Sequence, residues 1–142
     1  MKQIIFFILL NFANTIAMSQ TDKKVFLKEQ GNHSLKNRNY DEAINYYLQS
    51  LAIDANYTDA IYNLGIAYAK KEDWDKSIYY FTKYIERDKN YKEAWYNRGF
   101  AYTNKGMFRE ALNDYKQALI IDPHFYKAKY NYEYISRKIN KQ

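Results

Sequence analysis

Gly31, Gly65 and Gly99 stand 34 residues apart, and their neighbours repeat at the same step. Read in that register, the chain aligns Tyr40/Trp74/Phe108, Ala43/Ser77/Ala111, Ile44/Ile78/Leu112, Tyr47/Phe81/Tyr115, Leu51/Ile85/Leu119, Asp54/Asp88/Asp122 and Tyr57/Tyr91/Phe125. One chemical type fills each column. A period of this length is the signature of stacked helical hairpins, in which each unit buries its apolar face only against its neighbours.

The local patterning agrees with that reading. Each unit divides into two helices, broken near Asn37–Asn39, Lys71–Asp73 and Asn104–Gly106. The second helix carries apolar residues at i, i+3, i+4 and i+7, as in Phe108, Ala111, Leu112 and Tyr115. Small residues at Gly31 and Ala43, Gly65 and Ser77, and Gly99 and Ala111 predict close helix contacts within each hairpin. Asp122-Pro123 reads as a helix stop, because proline cannot donate to the preceding turn and pushes the residue before it out of helical angles.

In the third unit the run Trp95, Arg98-Gly99, Tyr102, Gly106, Phe108, Ala111, Tyr115, Ala118 and Asp122-Pro123 resembles the tetratricopeptide repeat signature. The second unit is similar, with Ile61, Leu64-Gly65, Tyr68, Trp74, Ser77, Phe81 and Asp88. The first keeps Leu27, Gly31, Tyr40, Ala43, Tyr47 and Asp54 but has Gln30 and Ser34 where the pattern carries Leu and Tyr. The resemblance covers about residues 24–139 and implies an all-α fold: a right-handed helical-hairpin solenoid of three tetratricopeptide repeats plus a C-terminal capping helix. The repeats fall at residues 24–57, 58–91 and 92–125, with a capping helix and polar tail over 126–142. Glu133 stands in the glycine column, and Arg137, Lys138 and Lys141 suggest a polar exterior for that cap.

The first residues carry a separate message. Lys2 precedes the apolar stretch Ile4–Phe12, and Ala17-Met18-Ser19 follows with small residues spaced for cleavage. This resembles a secretory signal peptide over residues 1–19, removed after Ser19, and implies an exported protein, periplasmic or secreted. The alternative is an uncleaved anchor that holds the array on a membrane. The chain has no cysteine, which removes thiol chemistry, thiolate metal ligation and lipid attachment at a cysteine. Its formal charge of +6 is spread among acidic residues, as in Lys83, Glu86, Arg87 and Asp88, so it reads as a solvated mixed-sign surface and not a nucleic-acid-binding one.

The resemblance also implies where a ligand would lie. In this family the first helix of each repeat lines a concave groove, and the matching positions here are Lys28, Tyr62, Tyr96 and Tyr130, then Asn63, Asn97 and Asn131, then Asn32, Ile66 and Phe100. An asparagine offers both a donor and an acceptor to a peptide group, so the three asparagines predict a ladder that grips an extended chain. Flanking aromatics supply rigid contact area. Relatives that grip a carboxylate terminus use a five-residue clamp; Lys28, Asn32 and Asn63 match it, whereas Glu93 and Asn97 depart from it, and Glu93 repels a carboxylate. His33, placed toward the hairpin interior, and His124, in a turn, form no catalytic set, and neither phosphate-loop nor metal-ligand spacing occurs. The expectation is therefore an exported adaptor or scaffold, not an enzyme, with a protein or extended peptide as partner and no metal or cofactor. The alternative is a membrane-tethered structural subunit of a larger envelope complex.

Overall fold

The computed structural model describes residues 19–140, which form seven helices: α1 (Gln20–Lys36), α2 (Tyr40–Ile53), α3 (Thr58–Lys70), α4 (Trp74–Arg87), α5 (Lys92–Asn104), α6 (Phe108–Ile121) and α7 (Tyr126–Ile139). Helices α1/α2, α3/α4 and α5/α6 pair as hairpins, each second helix packs on the first helix of the next hairpin, and α7 packs on α6. Adjacent first helices also touch one another, α1 with α3 and α3 with α5. The stack therefore curves with its first helices on the inner side. The signal-like segment lies outside the described residues up to Met18, and description begins at Ser19, whose hydroxyl caps α1 by accepting from the Asp22 N–H at 3.1 Å.

The three hairpin turns are chemically the same turn. The N–H groups of Asn39, Asp73 and Met107 reach back to the carbonyls of Ser34, Tyr68 and Tyr102 at 2.9, 3.0 and 2.9 Å. Those of Arg38, Glu72 and Gly106 bond the carbonyls of Leu35, Ala69 and Thr103. This closure needs a left-handed residue just past the helix. Arg38, Glu72 and Gly106 supply it with φ of 64°, 60° and 75°. Only the third repeat has the glycine that the conformation favours.

Links between repeats recur with the same period. The side chains of Asp54, Asp88 and Asp122 each accept from the N–H two residues on, at 3.0, 2.9 and 2.8 Å, which turns the chain into the next repeat. Asp41 pairs with Lys71, and Asp75 pairs with Lys105.

Packing at the glycines differs from the expectation in one respect. A β-carbon on Gly31, Gly65 or Gly99 would first meet the ring of Tyr47, Phe81 or Tyr115, ahead of the small residue of the second helix. Those rings are fully buried. The small column still contributes in repeat 2, where the Ser77 hydroxyl donates to the Gly65 carbonyl at 3.0 Å. Repeat 3 departs further: Arg98 stands in the Leu64 column and Asp114 in the Tyr80 column, and the two form a bidentate pair at 2.7 and 2.8 Å in place of an apolar contact. Arg98 also donates to the Thr82 hydroxyl and lies over the Trp95 ring.

Two further expectations need correction. His33 is exposed and shares a hydrogen bond with the Asn37 amide, because it falls on the outward side of α1. The exposed surface of α7 is not simply polar. Tyr126, Tyr130 and Tyr134, four residues apart, form an exposed aromatic stripe.

Candidate binding groove

The first helices bring all ten sequence-selected residues to the inner side of the stack, but in unequal states. Phe100 and Tyr130 are well exposed, at 43% and 70%. Ile66 and Phe100 border a cleft of about 140 Å³ between α3 and α5, together with Ala69, Lys70, Phe81 and Asn97. A cleft of this size suits one apolar side chain with Asn97 at its edge.

The asparagine ladder is real in position, yet it works differently from the expectation. Asn63 Nδ2 donates to Asn32 Oδ1 at 2.9 Å, Asn97 Nδ2 to the Tyr62 hydroxyl at 2.9 Å, and Asn131 Nδ2 to the Tyr96 hydroxyl at 3.4 Å. Each rung therefore straps its repeat to the preceding one. A carboxamide with one donor engaged keeps a second N–H and its carbonyl oxygen, so the ladder retains groups for a peptide while also holding the stack.

Tyr62 and Tyr96 are likewise structural as well as groove-facing. Tyr62 packs against Phe81, Tyr84 and Tyr91 with centroids 5.6, 5.2 and 5.2 Å away. Tyr96 packs on Tyr115 at 5.8 Å and on Phe125 at 5.2 Å. Burial pushes both phenols upward in pKa. In the same column Tyr130 has no later helix beside it among the described residues and stays exposed.

Lys28, Asn32 and Asn63, the three matches to the carboxylate clamp, are linked through Glu29 and already engaged. The Lys28 ammonium bonds Glu29 at 2.5 Å and lies 3.8 Å from Asp59. Its side chain is only 15% exposed, and the Glu29 hydrogen bond raises its pKa despite burial. Asn32 accepts from both the Tyr47 hydroxyl and Asn63 while donating to Glu29 at 3.0 Å. A ligand carboxylate would meet a lysine already neutralised and an asparagine already engaged.

Sequence reasoning passed over Asp59, Tyr84 and Tyr91, which with Lys28, Tyr62 and Asn63 line an open depression of about 440 Å³ at the other end of α3. The signal was present in the columns: Tyr84 aligns with Ser50 and Ala118, both fully buried.

Comparison with known proteins follows the same lines. Two family models described as tetratricopeptide repeat match residues 28–92 and 93–125. A sequence search of curated proteins finds no match. Among solved structures, the chain is similar to the first such domain of Spaghetti (RPAP3) bound to the HSP90 peptide SRMEEVD, with 26% identity, a TM-score of 0.80, and coverage of 83% of this chain and 94% of that one. It is also similar to the second domain of human RPAP3 in complex with the HSP70 peptide SGPTIEEVD, with 26% identity, a TM-score of 0.78, and coverage of 83% and 98%. The Arabidopsis OM64 domain shares the fold at 22% identity and a TM-score of 0.81, over 84% of this chain and 99% of that one. Signature, hairpin geometry, family models and structural neighbours agree: the chain belongs to the tetratricopeptide repeat family.

Proposed function

We propose that this protein is a binding adaptor that holds an extended segment of a partner protein across its concave face, with an apolar ligand side chain seated between Ile66 and Phe100. The cleft between α3 and α5 carries this reading, because it joins exposed aromatic surface to an asparagine that still has an acceptor and a donor free. Peptides bound by the similar RPAP3 domains support the class of ligand. The chemistry of the ligand differs, since both of those peptides end in EEVD, whereas here Lys28 is held by Glu29 and lies near Asp59, and Glu93 occupies a clamp position. Export is part of the proposal and rests on Lys2 and Ile4–Phe12; N-terminal sequencing of the mature protein tests it, with Gln20 as the expected first residue and Met1 as the contrary result.

The test is a selection of twelve-residue peptides from a random display library on the full chain. Affinities of the selected sequences are then measured on variants. Phe100→Ala should weaken binding more than about tenfold, the loss of one buried aromatic contact, at unchanged helical content. Leu48→Ala on the outer helix α2 should leave affinity unchanged. The reverse pattern would place binding on the convex side. It would favour the permanent-subunit reading.

A further inference from the structure

Repeats 1 and 3 each hold an internal cation that repeat 2 lacks. In repeat 1 the Lys24 ammonium pairs with Asp54 and lies 4.8 Å from the centroid of the Tyr57 ring. In repeat 3 Lys92 pairs with Asp122 at 2.5 Å and lies 5.2 Å from the centroid of Phe125. These are the same three columns, 68 residues apart. Repeat 2 keeps the carboxylate and the ring, as Asp88 and Tyr91, but has Thr58 where the lysine stands. Asp88 takes part in no ion pair among the described residues.

A second departure lies at the same place. The column filled by the fully buried Ser50 and Ala118 holds Tyr84 in repeat 2. Its ring closes a triangle with Tyr62 and Tyr91, with centroids 5.2 to 5.3 Å apart, on the wall of the 440 Å³ depression. Asp88, Asp59 and Glu93 all face this tyrosine closely enough to raise its pKa further after burial has done so. Of the nearby cations, Lys28 lines the depression but bonds Glu29 and lies 3.8 Å from Asp59, and Lys92 bonds Asp122 and stands 4.0 Å from Glu93, so neither pairs with Asp88. Aromatic rings beside a carboxylate attract a cation, as the chain's own lysines demonstrate in the sister repeats, and Asp88 is the carboxylate of that column left without one.

We propose that the depression lined by Asp59, Tyr62, Tyr84 and Tyr91 takes the ammonium or guanidinium group of a lysine or arginine side chain supplied by the segment bound in the groove. The inference rests on the groove-binding reading and adds to it the charge of the ligand. It reverses the preference expected of a carboxylate clamp.

The test uses a single side chain as probe, so its outcome is independent of the apolar cleft. Isotope-labelled full-length protein is titrated with Nα-acetyl-lysine methylamide and, separately, with the norleucine and glutamate analogues, while backbone amide shifts are followed by NMR. Saturable shifts at Asn63, Tyr84 and Tyr91 are expected for the lysine probe, with affinity at least about tenfold above that of the norleucine probe, the factor a cation–π contact and a nearby carboxylate supply. Thr58→Lys should install the internal lysine of repeats 1 and 3 and abolish probe binding. Asp88→Asn, which keeps the turn, should weaken it. Equal binding of the neutral probe, preference for the glutamate probe, absence of binding, or full binding by Thr58→Lys would each overturn the proposal and show that Tyr84 simply fills the place of the missing lysine. Loss of peptide binding in Phe100→Ala would stand regardless of that result.

Discussion

Adding one methyl group to each repeat glycine yields a graded series whose order follows from the packing. A β-carbon on Gly31 would stand 2.4, 2.7 and 2.9 Å from three ring atoms of Tyr47. On Gly65 the distances to Phe81 are 2.7, 2.8 and 2.9 Å, and on Gly99 the nearest atoms are at 3.0 and 3.1 Å on Tyr115 and 3.2 Å on Asp114. Carbon atoms prefer about 3.5–4.0 Å, so the first two sites demand a ring shift that the buried surroundings resist, and the third demands a few tenths of an ångström. Against this, alanine gains about 1 kcal/mol over glycine in a helix interior. Overpacking costs about 1–3 kcal/mol. The net loss is then about 2 kcal/mol for Gly31→Ala, about 1 for Gly65→Ala and about zero for Gly99→Ala. At about 4 °C per kcal/mol, thermal melts followed by far-ultraviolet circular dichroism should fall by about 8, 4 and 0 °C. Uniform stabilisation of all three variants, or the opposite order, would refute the ring-on-glycine account of the hairpins.

Two further outcomes follow from the same geometry. Asn97→Ala should lower stability by about 1 kcal/mol, the worth of one inter-repeat hydrogen bond, in addition to weakening peptide binding; denaturant unfolding measures the first effect, and an unchanged midpoint would mean that the rung is not a strap. Glu72→Gly should raise stability by about 0.5–1 kcal/mol, since the residue sits exposed at φ 60° where a side chain is strained, and a lower melting temperature would contradict that assignment.

Much of the fold was legible because a period of 34 residues fixes the hairpin, its turn and its stacking partner together. The turn positions were visible as breaks, though their shared left-handed residue was not, since Arg38 and Glu72 carry no glycine signal. The groove residues were legible as columns but not in their state. Whether Tyr62 faces a ligand or packs on Tyr91 depends on the next repeat's position, which a column does not encode. Asn63 and Asn97 were read as free because their partners, Asn32 and the Tyr62 hydroxyl, lie 31 and 35 residues away on another helix. The Arg98–Asp114 pair was hidden for a related reason: each residue alone is an ordinary charged position, and only the hairpin places them together.

The account's central claim is that an extended segment of a partner lies on the inner helices. Mapping a selected peptide onto the full-length protein by amide chemical shifts tests it most directly. The account predicts perturbations at Asn63, Ile66, Asn97, Phe100 and Tyr130 on the inner face, with the exposed Leu48, Tyr79 and Ile120 of the outer helices unaffected. Perturbations confined to Leu48, Tyr79 and Ile120, with Ile66 and Phe100 silent, would contradict it.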